Sequence, residues 1–187
     1  FGIDVDFWTP EHSREEDYIL SVGNDSRRDY DLLMRVAEKS EYSFIVITKT
    51  PIKEKISHNV KIITGKWDSA ELSDEELREL YRKAKLIVIP LVESFQPSGQ
   101  SVCLQAMACG KPVIASRIEG LEVIERSGLG ILVEPQDSAD LERALLKLLK
   151  EPQQSREMGR RGLNVAREDF SWETRVATIE HLLTGLA

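Results

Sequence analysis

The chain has 187 residues, 41% of them hydrophobic and 30% charged, which is ordinary for a soluble globular domain and enough for one buried core. Its 25 Lys and Arg against 32 Asp and Glu leave a net charge of −7, which excludes a general nucleic-acid binder, because that role needs a basic field. The apolar runs are far shorter than the roughly 20 residues that cross a bilayer, and no secretory signal is visible.

The opening stretch "FGIDVDFWTPEHSREED" (1–17) is short and mixed, and it reads as an incoming linker. It starts at Phe1, so a fragment of a longer protein is expected. "YILSVG" (18–23) is the first strand-like run, and "DYDLLMRVAEKS" (29–40) has apolar residues at helical spacing. Between them Gly23 is followed by Arg27 and Arg28. Backbone N–H groups and two guanidiniums would suit a diphosphate, and two solvated surface arginines are the alternative. The G-x-G-x-x-G fingerprint is absent. "FIVITK" (44–49) and "VKIIT" (60–64) are further strands. Lys49 ends the one, and Lys66 and Trp67 follow the other. Trp67 could stack on a base or sugar, or cover the adjacent helix.

Ser73 and Glu76 have the spacing of a capping box and open the helix 73–84. "LIVIPL" (86–91) runs on to Glu93, either a solvated strand-end acid or a group of the site. Pro97, Ser98 and Gly99 favour a tight loop, with Ser98 as cap of the next helix. Free amides at Gly99, Gln100 and Ser101 would then face an anion, helped by the helix dipole. Gln105 lies two turns in and leans back toward the same end. If buried, it needs a partner, in a ligand or in nearby backbone. Gly110 and Pro112 stop this helix. Cys103 and Cys109 read as small core residues of a reducing compartment and not as metal ligands.

"PVIAS" (112–116) and "GILVE" (130–134) complete about six strands, and the helix 137–149 starts at Asp137 or Ser138. The tail 155–186 is helical, with apolar residues at 172, 176, 179, 182 and 183 that must cover something. His12, His58 and His181 are scattered, so no catalytic triad is proposed. The strand runs are nearly continuous Val, Ile and Leu, as in parallel strands buried on both faces. Alternation with helices predicts an α/β fold, a Rossmann-like doubly wound parallel β-sheet with helices on both faces. Its ligands should bind beyond the carboxyl ends of the strands.

"FGIDVDFWTP", "YILSVGNDSRRDYDLL", "ITGKWDSAELSDEELRELYRKAKLIVIPL", "LQAMACGKPVIAS" and "GILVEPQDSADLERALLKLL" occur in this order. Together they resemble the C-terminal half of the retaining GT-B glycosyltransferases of family 4, over nearly the whole chain. The resemblance implies one half of a GT-B fold, with a linker at 1–17, a donor-binding domain at 18–152 and helices at 153–187 that pack on it and toward a missing N-terminal domain. It implies hexosyl transfer from a nucleotide diphosphate sugar with retention, in a longer cytoplasmic chain whose parent can touch a membrane peripherally. No cofactor, metal or nucleic acid is expected, and the lone domain should be inactive.

The family's paired acids map onto Glu93, displaced by four residues and assigned as catalytic, and onto Gln105 at the ribose-binding position. Lys66 and Trp67 join Gln105 at the ribose and base. Arg28 falls at the family's diphosphate-binding Lys, with Arg27 its neighbour and Asn24 at the family's Arg. Ser98, Gly99, Gln100 and Ser101 complete the diphosphate site. Glu119–Gly120 stand for the family's Gly-Gly, and Glu122 matches its acid. The rival functions are a GT-B sugar-nucleotide epimerase and a non-catalytic nucleotide or sugar sensor.

Overall fold

The computed structural model describes residues 1–10, 14–64 and 72–185. Six strands form one parallel sheet: β1 (Tyr18–Val22), β2 (Ser43–Ile47), β3 (Val60–Ile63), β4 (Leu86–Ile89), β5 (Val113–Ser116) and β6 (Gly130–Val133). The order β3-β2-β1-β4-β5-β6 makes the chain wind outward in both directions from the β1–β4 pair. A crevice opens at the carboxyl ends of those two strands.

The apolar runs are continuous because each strand feeds two cores. Leu20, Ile87, Ile89, Val113 and Ala115 face one layer. Ile19, Leu86, Val88 and Ile114 face the other. All are essentially without solvent contact, and truncating a residue such as Ile87 to Ala should cost about 2–5 kcal/mol.

The second layer is completed by α1 (Tyr30–Glu38) and α5 (Ser138–Lys150). The first is completed by α2 (Asp74–Lys83), α3 (Gln100–Ala108) and α6 (Pro152–Asp169). The Ser73–Glu76 capping box is formed in both directions, and Asp137 caps α5. The tail is two helices, α6 and α7 (Trp172–Thr184), broken where Ser171 caps α7. A four-residue helix, α4 (Val123–Arg126), has no periodic signal in the sequence. On α6, Gly159 and Gly162 allow close approach to α3. A Cβ at Gly159 would overlap the Gly110 carbonyl, and one at Gly162 would touch Met107.

The stretch read as a linker lies packed on this frame. Trp8 is buried edge-on against Tyr81, with ring centroids 5.6 Å apart. Arg82 Nε donates to the Thr9 carbonyl at 2.7 Å, and the Ile3 N–H donates to the Phe170 carbonyl at 2.8 Å.

Candidate functional site

A cavity of about 640 Å³ opens at the carboxyl ends of β1 and β2, walled by the start of α2 and by residues 97–102 and 105. Its floor is set by the turn after β1. Gly23 has φ 150°, and a Cβ there would overlap the Arg28 guanidinium. On the other side a Cβ on Gly99 would come within 3.4 Å of Arg28 Nη1. Two glycines thus leave room for one guanidinium between them. Arg28 is 7% exposed, and its Nε and Nη1 are buried with no hydrogen-bond partner among the described residues. Burial pushes its pKa down. A buried cation without a counter-ion is costly and suits an anion that is bound from outside.

Arg27 is placed differently. Its Nε and Nη2 donate to the two carboxylate oxygens of Asp25, both at 2.9 Å, and its Nη1 donates to Gln96 Oε1 at 2.6 Å. It is not among the residues lining the cavity. The sequence expectation of two arginines on a diphosphate therefore divides: one faces the cavity, and the other clamps the loop. Asp25 was missed by sequence reading, although an Asp two residues before an Arg in a turn is a signal of such a pair. Its carboxylate also accepts from the Arg27 N–H at 2.9 Å and from the Ser98 hydroxyl at 2.5 Å. The bonds from Arg27 hold Asp25 well below the usual carboxylate range, with Ser98 assisting.

That last bond corrects the expectation for Ser98. Its hydroxyl joins the β1–α1 loop to the β4–α3 loop and does not cap α3. Gly99 occupies the cap position with φ 78°, and no side chain caps the helix among the described residues. A Cβ on Gly99 would overlap the Ile89 side chain, so the glycine is needed both for its backbone angle and for the close approach. The first-turn amides of α3 stay open toward the cavity, where Gln100 and Ser101 line it. Further bonds tie the same two loops together: Val92 N–H to the Arg27 carbonyl at 2.9 Å and Asp29 N–H to the Pro90 carbonyl at 3.0 Å.

Gln105 lines the cavity. Its partner is neither nearby backbone nor solvent alone: the Tyr81 hydroxyl donates to its Oε1 at 3.0 Å. Tyr81 is fully buried, and nothing in the α2 sequence marks its hydroxyl as a site group. Asn24 also lines the cavity, and its Oδ1 accepts from the Lys49 N–H at 2.5 Å. Glu93 is exposed and is not one of the lining residues. Glu122 accepts the Gly120 N–H at 3.0 Å, beside a second, smaller cavity. Lys66 and Trp67 lie outside the described residues.

A family model described as "Glycosyl transferases group 1" matches residues 17–151. Among curated proteins, a D-inositol 3-phosphate glycosyltransferase of Geodermatophilus obscurus is 45% identical over 67 residues, 35% of this chain and 14% of that protein. The one from Mycolicibacterium smegmatis is 26% identical over 161 residues, 74% of this chain and 36% of its own length. Among solved structures, a sucrose-phosphate synthase from Thermosynechococcus elongatus superposes with a TM-score of 0.80 at 22% identity, over 99% of this chain and 51% of that one. HepE of Anabaena, solved in complex with UDP and glucose, gives 0.80 at 17% identity, over 98% of this chain and 55% of that one. These two likenesses show the fold. The chain spans about half the length of these structures and less of the curated relatives.

Proposed function

The chain belongs to the group 1 glycosyl transferases, and from that premise we propose that it is the donor-binding half of an enzyme transferring a sugar from a nucleotide diphosphate sugar to an acceptor, with retention of configuration. The observation that carries this is Arg28: a buried guanidinium whose Nε and Nη1 have no partner among the described residues, facing a cavity beside the start of α3, which no described side chain caps. Such a site receives a diphosphate oxygen and stabilises the charge that grows on the leaving group as the glycosidic bond breaks. Arg28 and the α3 amides provide that neutralisation, without a metal ion. The apolar residues Val22, Ile47, Leu72 and Leu77, which also line the cavity, suit the base and ribose of the donor. HepE, of the same fold, was solved in complex with UDP, which supports a nucleotide as the kind of ligand.

Glu93 is exposed on the loop that ends in the cavity wall. Glu93 therefore has no part in holding the diphosphate, and its role in transfer belongs to the full-length protein. Acceptor binding is assigned to an upstream half, in line with the roughly half-length coverage of the similar structures, and the isolated chain should bind nucleotide weakly and transfer nothing. The test is calorimetric titration of the full-length protein with UDP-, GDP- and ADP-sugars. Saturable binding of one of them, with sugar transfer and a retained anomer by NMR, is expected. Binding of none would remove the proposal, and binding without transfer would favour the non-catalytic sensor.

A further inference from the structure

A further cavity, of about 50 Å³, lies at the amino ends of β4 and β5. That is the opposite end of the sheet from the cavity that holds Arg28. It is lined by Lys85 just before β4, by Lys111 just before β5, and by Ser155 and Arg156 near the start of α6. Glu15 is the one carboxylate among its described lining residues.

The cations there are incompletely answered. The Lys111 N–H is fixed on the Ala106 carbonyl at 2.8 Å, and its side chain is only 12% exposed. Burial pushes its pKa down. Glu15 stands 3.8 Å from its ammonium, beyond the roughly 2.7–2.9 Å of a charged hydrogen bond. Lys85 pairs at 3.2 Å with Asp17, which is not a lining residue. Arg156 is exposed and has no ion-pair partner among the described residues. Ser155 is 8% exposed. A helical serine often bonds the carbonyl one turn back, yet its hydroxyl has no hydrogen bond among the described residues. It lines the cavity with its bonding capacity unspent. No described side chain caps α6, so the positive end of the helix dipole adds to the same field.

Three cations against one carboxylate leave two positive charges in excess, which a dianion matches and a carboxylate would only half answer. A water needs roughly 10–15 Å³ of such space, so one tetrahedral oxyanion fits and a nucleotide does not. We propose that this cavity is a second anion site, which takes inorganic phosphate or the phosphate end of a monoester on Lys85, Lys111 and Arg156, with the Ser155 hydroxyl donating to it. Glu15 competes with that phosphate for Lys111. The site is independent of the donor-site reading.

The experiment titrates the full-length protein by calorimetry with inorganic phosphate and with glycerol 3-phosphate, at an ionic strength held constant with chloride. Arg28→Met is the background, so that the donor cavity takes no phosphate. Saturable binding to one site is expected there. Lys111→Gln and Arg156→Gln should each weaken it about tenfold. Arg156 is exposed, so its variant carries the test if the Lys111 variant does not fold. Glu15→Gln should tighten binding about threefold by removing the competitor. Binding of the free ion alone, or of both ligands, supports the site and says which form it takes. A merely structural cluster gives a different result: Glu15→Gln lowers the melting temperature and leaves phosphate affinity unchanged, which overturns the inference. So does the absence of saturable binding in the Arg28→Met background, or binding that keeps its strength in both Lys111→Gln and Arg156→Gln. None of these outcomes bears on nucleotide binding at the other end of the sheet.

Discussion

Arg28 carries opposite consequences for stability and for binding. Its guanidinium is desolvated, with no hydrogen-bond partner at Nε and Nη1 among the described residues, a net cost that an apolar chain of similar length would not incur. Arg28→Met is therefore expected to raise the melting temperature by a few degrees, at about 2–4 °C per kcal/mol for a domain of this size. The same change should weaken nucleoside diphosphate binding by about 1.5–3 kcal/mol, the worth of a charged hydrogen bond. Differential scanning calorimetry and titration of one variant read both, and an unchanged affinity would take Arg28 out of the site. Asp25 should behave in the reverse sense. Asp25→Asn or Ser98→Ala loosens the link between the two loops and should lower stability, and both should weaken binding indirectly, without removing a ligand contact. The basic pair at 27–28 was legible in the sequence. Its division into one clamp and one open cation was not, because only the paths of both loops determine which guanidinium meets Asp25.

Helix α3 joins core and site along nine residues. Its buried side brings Cys103 and Cys109 into the core, where burial pushes both thiols up to about 12. An unfolded thiol ionises near about 8.5. The folded pKa is the higher one, so the thiols' contribution to stability is complete below about pH 8.5 and is lost as pH rises toward the folded values. Unfolding free energies measured between pH 8 and 10 should fall, and a thiol reagent at pH 8 should label both cysteines in denaturant and neither in the native chain. Neighbouring elements fix where α3 stands. Gly159 on α6 meets the Gly110 carbonyl just past the end of α3, so Gly159→Ala should cost about 1–3 kcal/mol through overpacking. Ser73→Ala removes one arm of the α2 capping box and should cost about 1 kcal/mol. Strand and helix positions were readable from periodicity and caps to within a few residues. The four-residue α4 was not, being too short to show a period. Neither was the cap of α3, where Ser98 matched the usual preference but Gly99 supplied the left-handed backbone that the approach to Ile89 requires.

At the scale of the molecule, α7 leaves an apolar face open. Trp172, Val176, Ile179, Leu182 and Leu183 are 50–65% exposed on one helix, and Phe1 is 80% exposed. Exposed apolar area of this kind marks a contact surface, and we propose that a further part of the full-length protein covers it. Replacing Val176, Ile179 and Leu182 by Ser should leave the isolated chain's unfolding transition nearly unchanged, as the helix buries none of its residues. The same changes should reduce its self-association in light scattering and destabilise the full-length protein. The sequence by itself determined the six parallel strands, the helices between them, the end of the sheet where the cavity opens and the family. Those follow from local periodicity, from β-branched runs that fit a sheet covered on both faces, and from motifs read along the chain. Only the tertiary structure decided that Arg28 faces the cavity while Arg27 closes on Asp25, that Ser98 bonds across loops, and that the Tyr81 hydroxyl meets Gln105. Each of these joins residues that are unrelated in sequence or selects one of two equivalent neighbours, and hydrogen-bond partners at such separations are set by how β1, α2 and α3 pack.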